Sequence, residues 1–98
     1  MAGAAATRIT AGAWRGRRVD TPPGLDTRPT TSLVRQALFN ILGEVAGASV
    51  VDLYAGAGTV GFEALSRGAA RVTFVERNRS TLRLVARTAE RLECTGRR

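Results

Sequence analysis

The sequence predicts an α/β fold built on parallel strands, with a small basic hairpin ahead of it. Three observations predict this. A near-continuous apolar run, Val50, Val51 and Leu53, leads straight into the glycine-rich stretch Gly56-Ala57-Gly58-Thr59-Val60-Gly61. A second apolar run, Val72, Phe74 and Val75, follows after a helical segment. Another helical segment comes next, and strand–helix–strand–helix order implies a right-handed parallel unit.

Each element has its own local reason. Residues 8–20 read as a short strand, a bend at Gly12 and Gly16, and a second strand, with Ile9, Trp14 and Val19 supplying apolar contacts. Residues 21–29 hold three prolines and a glycine, so they read as an extended linker. A helix follows, capped by Thr30, Thr31 or Ser32. Val34, Leu38, Ile41, Leu42 and Val45 form its expected apolar face, Gly43 weakens it and Gly47 is expected to end it. Ser49 to Tyr54 is the first parallel strand, expected to be buried on both faces because its apolar run is nearly unbroken. A helix over 59–67 ends at Gly68, the second strand covers 71–76, and a last helix covers 80–93. Its expected inner face is Leu82, Val85, Ala86, Ala89 and Leu92.

The domain division that follows is a hairpin and linker over 1–29 and an α/β portion over 30–98. Two parallel strands leave both faces and both edges needing cover. The sequence is therefore expected to be the front of a larger α/β domain or, alternatively, a miniature that completes its sheet by dimerising.

Charge narrows the partner. The 98 residues carry 15 positive charges, all arginine, against 8 acids, a net of +7. The excess is uneven: residues 1–40 are net +4, 41–76 net −2 and 77–98 net +5. Arginine pairs bidentately with phosphate and with guanine, so basic flanks around an acidic middle suit a small-molecule site beside a nucleic-acid surface. One cysteine, Cys94, and no histidine exclude a disulfide framework, a Cys/His zinc site and His-assisted nucleophilic catalysis within these residues. No metal site is expected. No apolar run approaches membrane-spanning length. Residues 1–7 read as a frayed end rather than a signal peptide, so a cytoplasmic location is expected.

The glycine stretch is the strongest chemical signal. Gly56 lets the chain turn off the strand, Gly58 lets a ligand approach the backbone, and Gly61 lets the helix pack on the strand. Glu76 ends the second strand twenty residues after Gly56, where an acid can accept hydrogen bonds from both hydroxyls of a ribose. Asp52 sits inside the apolar first strand, and a buried carboxylate needs a partner. It can take the cationic amino group of a methionine moiety, or it can bond the loop's own backbone. In a nicotinamide-binding fold this position is usually apolar. The pair Asp52 and Glu76 thus favours S-adenosylmethionine over NAD, and the absence of Gly-Lys-Ser/Thr excludes a P-loop nucleotidase.

Three stretches together resemble the RsmD-type methyltransferases, which methylate the exocyclic N2 of a guanine in bacterial small-subunit ribosomal RNA. They are Arg8-Ile9-Thr10-Ala11-Gly12-Ala13-Trp14-Arg15-Gly16-Arg17-Arg18, then Thr27-Arg28-Pro29-Thr30-Thr31 with Val34 to Leu42, then Asp52 to Ala69 with Glu76 beyond. The resemblance implies the first βαβα portion of a Rossmann-like class I methyltransferase domain behind a hairpin that holds RNA. It implies that Asp52, Tyr54, Gly56, Ala57, Gly58 and Glu76 contact or shape the S-adenosylmethionine site. Arg28 and Thr30 would belong to a segment covering the cofactor. Arg15, Arg17 and Arg18 would contact phosphates, and Arg8 and Arg35 join this RNA-facing set. The implied partner is ribosomal RNA or a partly assembled small subunit, with the full-length protein a monomer.

Two departures matter. The family usually has Asp-Arg ahead of Val-Arg-Glu, whereas Ser32-Leu33 precede Val34-Arg35-Gln36 here. The family's catalytic Asn/Asp-Pro-Pro-Tyr/Phe tetrapeptide is absent from these residues, and Thr21-Pro22-Pro23-Gly24 does not replace it. No catalytic residue is therefore assigned, and this stretch alone is expected to be inactive. A methyltransferase acting on DNA, a non-catalytic RNA-binding or nucleotide-binding fragment, and a nicotinamide-dependent oxidoreductase fragment are the other readings. The row Arg79, Arg83, Arg87 and Arg91 on the last helix could bind RNA, but a solvated outer face is the expectation, because the opposite face must pack on the sheet.

Overall fold

The computed structural model describes residues 5–21 and 32–92. Residues 22–29 of the expected linker, which include Arg28, lie outside the described residues, as do Thr30 and Cys94, while Thr21 is part of a strand. Strands β1 (Ala5–Arg8) and β2 (Arg18–Thr21) pair antiparallel, Ala5 opposite Thr21 and Arg8 opposite Arg18. Residues 5–7, expected as part of a frayed end, thus belong to a strand, because β2 supplies the backbone partners.

Helix α1 (Ser32–Leu42) stops at Gly43, not at Gly47. Gly43 adopts φ +76° and its N–H donates to the Phe39 carbonyl at 2.9 Å, the left-handed ending that glycine makes without strain. The buried face of α1 is also not the expected one. Arg35 and Phe39 face inward, while Val34, Ile41 and Leu42 are exposed, Ile41 at 83%. Apolar spacing alone pointed to the wrong side, because a buried charge partner turns Arg35 inward.

Strands β3 (Ser49–Leu53) and β4 (Arg71–Val75) pair in parallel, Ser49 opposite Arg71 and Leu53 opposite Val75. Helix α2 (Thr59–Ser66) connects them. It ends in a Schellman arrangement: Gly68 at φ +105°, its N–H on the Leu65 carbonyl and the Ala69 N–H on the Ala64 carbonyl, both at 3.0 Å. Helix α3 (Arg79–Arg91) is capped by Asn78, whose side-chain oxygen accepts from the Thr81 N–H at 3.0 Å.

All the helices contribute to cores on one side of the β3–β4 pair. Phe62, Val85 and Leu92 join Ile9 and Val19 of the hairpin region, with Trp14, Leu65, Phe74 and Ala89 packed against them. Phe39, Ala64 and Ala69 form a second cluster with Val45, Val50, Val60 and Val72. On the opposite side Val51, Leu53 and Val75 are exposed, Leu53 at 63%. The expectation that β3 is buried on both faces is not met among the described residues: its side chains alternate, and the Val50 and Asp52 side is the one that meets a helix layer. On α3 the inner face is Val85, Thr88 and Leu92 with Leu84 and Ala89, whereas Leu82 and Ala86 are exposed.

Helix α2 packs closely on β4. A Cβ on Gly61 would lie 2.2 Å from a ring carbon of Phe74 and 2.9 Å from Val72, as the packing role expected for Gly61 requires. Phe74 in turn stacks at 4.8 Å against Phe62.

A buried carboxylate joins the hairpin to this layer. Glu63 of α2 is 0% exposed. Its Oε1 accepts from the Thr10 N–H at 3.0 Å and Arg35 Nε at 3.0 Å. Its Oε2 accepts from the Thr10 hydroxyl at 2.7 Å, the Ala11 N–H at 3.1 Å and Arg67 Nε at 3.0 Å. Arg35, 1% exposed, also donates to the Arg8 carbonyl at 2.6 Å. The Arg67 guanidinium lies 4.7 Å above the Phe39 ring. One turn on, Ser66 accepts from the Trp14 N–H at 2.9 Å and donates to the Ala11 carbonyl at 2.6 Å. Gly12 sits so close that a Cβ would meet the Ser66 carbonyl oxygen at 2.0 Å.

Burial alone would push the Glu63 carboxyl up, but the hydrogen bonds from Thr10, Arg67 and Arg35 outweigh it and hold it below its usual 4.5. A folded value below the unfolded one means stability that is present above about pH 4.5 and lost as pH falls through the folded value. Glu63→Gln leaves Arg35 buried beside a neutral amide and is expected to destabilise by about 3–5 kcal/mol at pH 7. Urea unfolding across pH checks it: the gap to wild type should narrow below pH 4.5, and a constant gap would contradict the ionised role. At Gly61, helix propensity favours alanine by about 1 kcal/mol, but the clash with Phe74 dominates. Gly61→Ala is expected to lower stability by about 1–3 kcal/mol in the same assay.

Candidate cofactor site at the β3–α2 turn

The β3 strand ends at Leu53, and the chain then reverses through three left-handed residues. Tyr54 has φ +56°, Gly56 +55° and Gly58 +85°. Such a backbone is easy for glycine and costs a tyrosine on the order of 1–3 kcal/mol. Tyr54 is 87% exposed, so its ring gains little from packing in return. The turn is closed by the Gly58 N–H on the Ala55 carbonyl at 2.8 Å, and the Ala55 N–H extends the sheet to the Val75 carbonyl at 2.9 Å.

The two acids picked out in the sequence both hold this turn. Glu76 Oε1 accepts from the Gly56 N–H at 2.9 Å, and Oε2 accepts from the Asn78 N–H at 2.9 Å. Asp52 Oδ2 accepts from the Gly61 N–H at 3.1 Å, inside the first turn of α2. Of the alternatives open for Asp52, the bond to the loop's own backbone is made. A carboxylate oxygen has two acceptor sites, so neither acid is saturated by these bonds.

Their carboxyl pKa values move in opposite directions for physical reasons. Backbone N–H groups of Asn78 and Gly56, with Arg77 nearby, hold the Glu76 carboxyl below the usual carboxylate range. Burial pushes the Asp52 carboxyl up, against the opposing Gly61 hydrogen bond. A cation placed beside Asp52 would relieve that cost.

The glycines divide the labour. A Cβ at Gly56 would meet nothing within 4 Å, so its backbone faces open space. A Cβ at Gly58 would meet the Phe62 ring at 2.9 Å and the Phe74 ring at 3.1 Å. A side chain at Gly58 would thus crowd the protein's own aromatics, whereas the backbone at Gly56 is open. Ala57 is buried within the turn. The N-cap of α2 is Gly58, which has no side chain to cap the helix, and Asp52 meets the Gly61 N–H instead.

The arginines of the expected RNA-facing set separate into two groups. Arg8, Arg15, Arg17 and Arg18 are exposed on the hairpin. Arg8 donates to the Gly16 carbonyl at 2.8 Å, Arg17 to the Arg91 carbonyl at 3.0 Å, and Arg18 pairs with Asp20 at 3.0 Å. Arg35 is removed from the set: its guanidinium is enclosed and bonded to Glu63. Glu63 itself escaped the sequence reading. Its signal is that it is the single acid in the otherwise apolar and small-residue segment Thr59–Ser66, with Arg67 at i+4. Among the described residues no group of three or more metal-ligating side chains is assembled, and no helix is long and apolar enough to cross a membrane.

Comparison with known proteins places this geometry. The family model described as Conserved hypothetical protein 95 matches residues 7–98. The chain is 46% identical over 79 residues to Ribosomal RNA small subunit methyltransferase D of Escherichia coli K12, covering 80% of this chain and 40% of that protein. It is 37% identical over 89 residues to the protein of the same name from Haemophilus influenzae, covering 90% and 46%. Among solved structures it resembles yhhF of Escherichia coli, a candidate methyltransferase, at 36% identity and TM-score 0.78, over 91% of this chain and 48% of that one. The chain therefore spans less than half the length of these relatives. Its α/β architecture is that of part of a methyltransferase fold, and the chain belongs to the Conserved hypothetical protein 95 family, the RsmD family.

Proposed function

We propose that these residues form the cofactor-holding part of an S-adenosylmethionine-dependent ribosomal RNA methyltransferase acting on the exocyclic N2 of a guanine in small-subunit RNA. The observation that carries this reading is the turn between β3 and α2, held at one end by Glu76 on Gly56 and at the other by Asp52 on Gly61. The relatives' names supply the RNA substrate.

The donor set fits the cofactor. Glu76 keeps an ionised carboxylate with acceptor capacity to spare for ribose hydroxyls. Asp52, its carboxyl raised by burial, gains from a neighbouring ammonium group. The open backbone at Gly56 leaves room for the ligand's approach, and exposed Tyr54 lines the same turn. When bound, S-adenosylmethionine supplies an electrophilic methyl group for displacement by an amine nitrogen. These residues bind and orient it, since alignment of amine and methyl is the larger part of such catalysis. The exposed hairpin arginines Arg8, Arg15, Arg17 and Arg18 hold RNA phosphates. Arg28 and Thr30 remain candidates for covering the cofactor.

Glu76→Gln and Asp52→Ala are each expected to weaken S-adenosylmethionine binding about 10- to 100-fold, the effect of losing a charged hydrogen bond. Isothermal titration calorimetry checks this, with circular dichroism confirming an intact fold; wild-type affinity would reject that residue's role. The 98 residues alone, without the Asn/Asp-Pro-Pro-Tyr/Phe tetrapeptide, are expected to transfer no methyl group to RNA. Tritiated-methyl incorporation into small-subunit RNA or partly assembled subunits is the measurement, and turnover would overturn the requirement.

A further inference from the structure

The outer face of α3 carries a row of arginines that the fold does not neutralise. Arg79, Arg83 and Arg87 are exposed and follow one another at i, i+4, an axial step of about 6 Å. Arg91 continues the row. Among the described residues no carboxylate lies within 4 Å of Arg79, Arg83 or Arg87. Like charges at this spacing weaken a helix, so the row does not serve α3 itself.

Both ends of the row are tied to parts of the site. At the C-terminal end Arg91 Nη2 donates to the Arg18 carbonyl at 2.6 Å, and Arg17 Nη2 donates to the Arg91 carbonyl at 3.0 Å. These reciprocal bonds make the hairpin arginines and the α3 row one continuous surface. At the N-terminal end, the Asn78 cap donates its N–H to Glu76, whose other oxygen holds Gly56. The row thus runs from the glycine turn to the hairpin, about 18 Å along the helix axis.

We propose that Arg79, Arg83 and Arg87 form a track for the sugar-phosphate backbone of RNA between the hairpin and the mouth of the cofactor turn. The proposal rests on the RNA-methyltransferase reading above. Evenly spaced guanidinium groups suit a ligand with evenly spaced phosphates.

Fluorescence anisotropy of a labelled RNA stem–loop titrated with this chain, across roughly 50–200 mM salt, tests it. Arg83→Gln/Arg87→Gln is expected to weaken binding and make the slope of log K against log salt shallower by about 1.5–2, with Arg15→Gln reducing it by about 1. Circular dichroism should show unchanged helix content, since both α3 side chains are exposed. If the α3 double variant keeps the wild-type slope while Arg15→Gln loses its share, the track is overturned and the hairpin's role stands. If the wild-type chain binds no RNA at any salt, the RNA reading falls with it. Displacement of the RNA by polyglutamate at equal charge overturns the assignment to nucleic acid.

Discussion

The enclosed carboxylate of Glu63 constrains more of this structure than any other group. An ionised side chain removed from water must be met by donors on all sides, or its desolvation costs several kcal/mol. Here the donors come from the hairpin loop, α1 and α2: Thr10, Ala11, Arg35 and Arg67. Meeting that requirement turns α1 so that Arg35 and Phe39 face inward while Val34, Ile41 and Leu42 face out. It also holds the loop between β1 and β2 against α2, where Ser66 and the missing side chain of Gly12 allow backbone contact. The apolar clusters supply most of the driving force for folding, but they are non-directional. The carboxylate selects which way the pieces face.

The same helix carries the consequence to the site. Glu63 lies on the second half of α2, and the Asp52 bond to Gly61 lies on its first turn. The hairpin and the glycine turn are thereby referred to one rigid element eight residues long. Gly61 adds to the rigidity, since its lack of a side chain lets α2 sit directly on Phe74 and Val72. A ligand-binding turn gains from such support, because its backbone amides are oriented before the ligand arrives. Asp52 and Glu76 take part in that orientation while retaining acceptor capacity, so the ligand-binding role proposed for them does not compete with the structural one.

The two faces of the β3–β4 pair divide the surface. One face is filled by the helices and the hairpin's Ile9 and Val19. The other presents Val51, Leu53 and Val75. Charge is segregated along with the apolar surface: the glycine turn lies among acids, and arginines line the hairpin and α3. The reciprocal bonds between Arg17, Arg18 and Arg91 keep the two basic elements in one arrangement relative to the turn.

Local features were legible because their causes are local. The strand-to-glycine transition at 50–61, the ending at Gly68, the parallel partner at 71–75, and the placement of Asp52 and Glu76 beside the loop all follow from apolar runs, glycine positions and short spacing. What the sequence alone did not reveal depended on partners far along the chain. Arg35 read as a surface cation because nothing near it announces Glu63, 28 positions on. The open face of β3 could not be told from a buried one, since an unbroken apolar run has the same pattern in either case. Gly47 reads as the end of α1 and Gly43 only as a weak point, yet the helix stops at Gly43, whose N–H bonds the Phe39 carbonyl. The sequence by itself determined the two parallel strands, the glycine turn that follows the first of them and the acids that flank that turn. Only the tertiary structure decided which arginine is enclosed, which helix face is inward and which basic elements share a surface, because those depend on contacts between residues that sequence spacing does not bring together.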